Sequence, residues 1–209
     1  MIYKGKDSIP LAWRDFQVDL LPSKCFRRKT KRSIKNIVVH WTATKDYKTA
    51  VKVFKRRKVS THFTIDVCGT IYQNVDLINR AWHAKGFNNQ SIGIDFVNPF
   101  YLKYQDKDDP WPVIESKVHG RRLGKHLGFK PIQIEAFKAL LAALVEGFDI
   151  TLTCPDKAAV EVKDKHYEGI MCHYHNNAAK IDCAGLELKE IISELQVNGF
   201  LKTMKDLFD

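Results

Sequence analysis

The stretch "NIVVHW" (Asn36–Trp41) decides how the rest of the chain is read. Three consecutive β-branched residues, Ile37, Val38 and Val39, fit a strand buried on both faces better than a helix. From Tyr47 to Lys58 the pattern changes. Val51 and Phe54 fall on one helical face, with Lys52, Lys55, Arg56 and Arg57 outside it. THFTID and TIYQN then flank Val67-Cys68-Gly69, which predicts a hairpin whose turn uses glycine. SIGIDFV alternates, with Ile92, Ile94 and Phe96 on one face and Ser91, Gly93 and Asp95 on the other. Gln133 to Gly147 predicts an amphipathic helix, and Asp149–Cys154 and GIMCHY (169–174) predict strands. Leu186–Leu195 predicts a closing helix, with Phe200–Asp209 adding a last turn or two. Strands alternating with helices place the chain in the α/β class, as a mixed central β-sheet flanked by helices.

Around this frame, residues 1–33 read as an irregular, basic N-terminal extension and 34–209 as a single domain. Residues 98–130 are polar, hold Pro99, Pro110, Pro112 and Gly120, and are too long for a plain connection. They read as an insertion that is functional or partly structured. An apolar fraction of 44% is enough for a core. The longest aliphatic run, Ala139–Val145, is far too short to span a bilayer, and the first residues carry no apolar export signal. A cytoplasmic site of synthesis, no membrane span and a monomer are therefore expected. The odd count of five cysteines argues for free thiols, mostly packed in the interior. The formal net charge is +10, and the first 36 residues hold ten Lys or Arg against three Asp. Such a surface suits a polyanion, whether nucleic acid, anionic lipid or anionic cell wall, or serves only as a solvated face.

His40 ends its apolar run, where a residue lies at the sheet's end beside a loop; spacing alone leaves it either structural or a ligand. "CHYHNNAAKIDCAG" (Cys172–Gly185) packs two histidines, two cysteines, a lysine and an aspartate into one segment. It lacks the paired CxxC of a zinc ribbon, so by itself it is ambiguous. His62 reads as a hydrogen-bonding residue within the sheet, and His119, His126 and His166 lie in polar stretches with no assigned role.

Three separated stretches, taken in order, resemble the zinc-dependent N-acetylmuramoyl-L-alanine amidases. That family includes phage lysins, cytoplasmic muropeptide-recycling amidases and the animal peptidoglycan recognition proteins. The stretches are VVHWTAT (38–44), VSTHFTIDVCGTIYQ (59–73) with RAWHAKGFNNQSIGID (80–95), and the Cys172–Gly185 segment. The resemblance covers roughly 34–97 and 128–196. It implies an amidase/peptidoglycan-recognition-like domain with its site at one sheet edge, a Zn2+ cofactor, and peptidoglycan or muropeptides as partner, with no nucleic acid. Its implied metal ligands are His40, His173 and Asp182. Asp182 keeps the family's spacing of two residues after a lysine, here Lys180; His175 and Cys183 stay open as rival ligands. Lys180 is implied as the oxyanion stabiliser and Asp95 as the catalytic base. Recycling members carry glutamate where Asp95 stands, and phage members a tyrosine where this chain has Thr61, so neither subgroup is matched in full. His83 and Trp82 are implied at the substrate cleft, and Phe87 and Asn88 are candidates to line a sugar surface. The basic N-terminus leans the reading towards a phage endolysin acting on the wall. A recycling amidase and a non-catalytic peptidoglycan-binding module are the alternatives.

Overall fold

The computed structural model describes residues 1–28 and 31–206; the predicted closing segment therefore runs partly outside it, at 207–209. The N-terminal segment is not the irregular lead-in its composition suggests. It forms a ribbon of β1 (Ile2–Lys4) and β2 (Asp7–Ile9), then β3 (Phe16–Val18) and β4 (Phe26–Arg27). What holds it is remote in sequence. The Gln73 amide accepts from Tyr3 N at 2.7 Å and donates to Tyr3 O at 2.7 Å, completing a backbone-like pair through a side chain.

The predicted first strand forms over its whole length as β5 (Asn36–Trp41). It leads to α1 (Tyr47–Arg57), capped by Asp46, whose carboxylate accepts from Thr49 N at 2.7 Å. Tyr47, Ala50, Val51 and Phe54 of α1 are buried, as the 3.6-residue period requires. The hairpin of β6 (Phe63–Ile65) and β7 (Ile71–Gln73) turns at Gly69, whose φ of +82° a residue with a Cβ rarely adopts. Next come β8 (Arg80–Ala81), paired with β4, and β9 (Ser91–Phe96), buried at every position.

The 98–130 insertion is largely structured. After a short turn at Leu102–Tyr104 it forms an antiparallel hairpin of β10 (Val113–Val118) and β11 (Arg121–Leu127). Then α2 (Pro131–Phe148) begins with proline in its first turn, where a missing N–H costs nothing. Gln133 sews this helix to the sheet by donating to Val97 O at 2.9 Å and Ile65 O at 3.3 Å. The strand expected over Asp149–Cys154 is absent. Asp149, with φ +52°, ends α2 in the left-handed region, and the segment beyond is irregular. An isolated hydrogen bond, Ile170 N to Thr153 O at 2.8 Å, ties it to β12 (Gly169–Cys172) in place of a strand ladder. The chain closes with α3 (Leu188–Asp206).

The main sheet has the order β12-β5-β9-β6-β7-β3. Its first four strands run parallel; β7 is antiparallel to β6, and β3 joins β7 as an edge strand. One face carries Ile37, Val39, Ile92, Ile94, Phe96, Ile170 and Cys172 against Phe137, Leu140, Leu141 and Leu144 of α2 and Ile191 and Ile192 of α3. The other face carries Val38 and Met171 against Ala84 and Phe87. Burial on both faces explains the unbroken apolar reading of NIVV. Phe137 is fully buried, with its ring 5.1 Å from that of Phe96. Phe137→Ala is expected to cost about 3–5 kcal/mol in unfolding free energy, measured by urea denaturation.

Candidate active site

The strand register builds the site. His40 of β5 pairs with Asp95 of β9, and Val39 with Cys172 of β12. One residue beyond that last pair, the chain delivers His173 beside His40. The loop after it returns Asp182, whose carbonyl accepts from Tyr174 N at 3.1 Å. Nδ1 of His40 lies 3.0 Å from Nδ1 of His173 and 3.0 Å from Oδ2 of Asp182, and the last two are 2.9 Å apart. All three residues are nearly closed to solvent.

This triangle fits a metal ion. The donor set is two imidazole nitrogens and a carboxylate oxygen, as in open zinc sites. A tetrahedral zinc with bonds of about 2.0–2.1 Å spaces its ligands just over ~3 Å apart. Burial, and then the neighbouring His173, push His40 down to about 4, so its imidazole is neutral and keeps a lone pair. Burial opposes ionisation of Asp182, but the adjoining His173 and His40 imidazoles outweigh it and hold the carboxyl well below the usual range.

The rival ligands lie elsewhere. The chain leaves the extended form after Cys172 and makes a tight turn over His173–His175. Strand alternation therefore does not extend to His175, whose Nδ1 instead accepts from Cys172 N at 2.9 Å. Cys183 is fully buried beside Cys172, where burial raises its thiol, and the donor atoms that converge are those of His40, His173 and Asp182.

A cleft of about 290 Å³ opens over the cluster, lined among others by Asp95, Lys180, Thr61, Trp82, His83 and Arg57. Asp95 is 5% exposed, and its Oδ2 lies 2.9 Å from the Thr61 hydroxyl. Burial pushes this carboxyl up to about 7; the Thr61 hydrogen bond works against that shift. Lys180 sits in a loop whose carbonyl meets Nε2 of His119 at 2.9 Å, so the inserted hairpin braces it. The expected sugar-lining role of Phe87 and Asn88 does not fit. Phe87 is buried, and Asn88 Oδ1 accepts from the backbone N–H groups of His83 and Ala84. Trp82 does line the cleft, with the Arg80 guanidinium 4.4 Å from its ring centre. His83 has both ring nitrogens committed within the protein, to His40 and Ser91, so it has none to offer a sugar or peptide. His62 is neutral and structural. Its Nδ1 accepts from Gly93 N, leaving Nε2–H for Asn79 O. Arg57, Gly93, Ser91 and the contact of Thr61 with Asp95 were not legible as site features. Their only signal was a place in the helix and strand patterns, Arg57 outside the packed helical face and Ser91 and Gly93 on the same strand face as Asp95.

Two histidines and a carboxylate gathered at the ends of parallel strands beneath an open cleft form a candidate metal site. The family model for N-acetylmuramoyl-L-alanine amidase matches residues 30–183, and the chain belongs to that family. No curated protein sequence matches it. Solved structures with TM-scores above 0.5 share the fold. The catalytic domain of XlyA is 18% identical with a TM-score of 0.54, over 88% of this chain and 98% of that one. The endolysin amidase LysCS from Clostridium intestinale is 18% identical with a TM-score of 0.51, over 86% and 95%. AmiD from E. coli, solved with an anhydro-N-acetylmuramic acid peptide, is 23% identical with a TM-score of 0.44, over 59% of this chain. The chain spans about half of AmiD, 48% of its length.

His173→Ala and Asp182→Ala are expected to abolish stoichiometric zinc binding while Cys183→Ser retains it, as measured by elemental analysis of the purified proteins.

Proposed function

We propose that the chain hydrolyses the amide between the lactyl group of N-acetylmuramic acid and L-alanine in peptidoglycan, with zinc held by His40, His173 and Asp182. The observation that carries this reading is the convergence of three ligand atoms within 3.0 Å in a cleft that Asp95 and Lys180 also line. Zinc bound there would polarise the scissile carbonyl and make hydroxide available near neutral pH. Asp95 takes the proton of the attacking water and hands it to the departing alanine nitrogen. The Thr61 hydroxyl, on Oδ2, fixes the carboxylate's orientation for both transfers. Lys180 supplies a cation for the charge that builds on the carbonyl oxygen, which strengthens binding of the transition state over the ground state. Trp82 offers an apolar wall for substrate beside the reacting atoms.

The presence of a base and an oxyanion cation in the same cleft favours catalysis over passive wall binding. The net charge of +10 favours an anionic wall, and hence an endolysin, over a soluble muropeptide. The deciding experiment supplies zinc-loaded protein with purified cell walls or soluble muropeptides and analyses the products by mass spectrometry. New alanine amino termini are expected, released faster from walls; preference for soluble fragments would indicate the recycling role. Lys180→Ala is expected to keep its zinc and lose about 10²–10³ in kcat. Asp95→Asn is expected to keep zinc and lose at least about 10²-fold, the usual contribution of a general base.

A further inference from the structure

We propose that His83 and Ser91 form a positioning relay that fixes the tautomer of His40 and so tightens the grip of its cluster on zinc. This rests on the metal reading above and assigns His83 to supporting the cluster, not to contacting substrate. The hydrogen-bond directions follow from counting protons. The Ser91 hydroxyl lies 2.8 Å from Phe87 O, an atom that can only accept, so its single proton goes there. Towards Nε2 of His83, 3.3 Å away, Ser91 Oγ is therefore the acceptor and Nε2 carries the hydrogen. A neutral imidazole protonated at Nε2 has a bare Nδ1. That nitrogen lies 3.1 Å from Nε2 of His40, so His40 donates to it. His40 then has no proton on Nδ1, the atom that faces His173 and Asp182. The chain Phe87–Ser91–His83–His40 thus ends in a lone pair aimed at the metal position.

The backbone is shaped for this relay. A Cβ on Gly93 would lie 2.7 Å from Cγ of His83 and 2.8 Å from its Nδ1, so the imidazole occupies space that only glycine leaves free. Asn88 fixes the other side by accepting from His83 N at 2.9 Å and Ala84 N at 2.7 Å. Gly93 N in turn donates to Nδ1 of His62 at 3.0 Å, which locks the strand position against which the ring lies. Partners of this kind orient ligand imidazoles and raise their basicity.

The test is zinc affinity, measured by competition with a chromogenic chelator on the full chain, together with circular dichroism of each variant. His83→Ala is expected to weaken zinc binding about 10- to 100-fold. His83→Asn places an amide oxygen where Nδ1 stood and is expected to recover most of that loss. Ser91→Ala, which frees the far end of the relay, is expected to weaken binding by a smaller factor, and Gly93→Ala, which displaces the ring, to weaken it as well. Folded His83→Ala with wild-type affinity overturns the relay. So does His83→Asn binding no better than His83→Ala, since loss of packing would then account for both. If His83→Ala does not fold, unchanged affinity in Ser91→Ala overturns it. A wild-type chain that binds no zinc overturns the metal reading and the relay together, whereas tight wild-type binding with insensitive variants removes only the relay.

Discussion

The parallel pairing of β12, β5 and β9 is the constraint on which the site depends. Because Val39 aligns with Cys172 and His40 with Asp95, one strand end presents His40, its neighbour presents Asp95, and the third hands the chain to His173. A slip of one residue in either pair would turn His40 or Asp95 into the apolar face against α2. The register is held by burial on both sides. Ile37, Val39, Ile92, Ile94 and Ile170 fill the helix-covered face, and Val38 and Met171 fill the other. The geometry of the chemistry is thus inherited from packing that has no chemistry of its own.

Burial then shapes the electrostatics of the same residues in opposite directions. It keeps His40, His62 and His83 neutral, which suits imidazoles that must offer or relay a lone pair. Asp182 stays ionised beside two imidazoles that offset its burial, whereas Asp95, with a hydroxyl as its hydrogen-bond partner, is poised near neutrality. Two carboxyls in one cleft therefore differ in behaviour, one suited to hold a cation and one to exchange a proton.

Legibility followed the range of the interactions. β5, α1, the β6–β7 hairpin and β9 could be read because their residue types and periods are local properties. The short N-terminal strands could not, since their partners lie as far away as Gln73 and the pairing uses its side chain. Asp149–Cys154 looked extended from its composition, but a left-handed Asp149 takes the chain out of line. In the site, Asp182 could be placed from its spacing to Lys180, and the structure brings it to His40. The choice between His173 and His175 turned on where β12 stops, and two-residue alternation does not announce that. Ser91 and Gly93 were hidden because a small residue in a buried strand reads as filler until its neighbour across space is known.

The contact between His119 and the carbonyl of Lys180 gives the inserted hairpin a bearing on the loop that carries Lys180 into the cleft. A chimaera that exchanged residues 98–130 for a shorter connection would remove a buttress as well as a surface. Shuffling such segments between homologues thus alters the stiffness of the cleft even when every residue lining it is preserved.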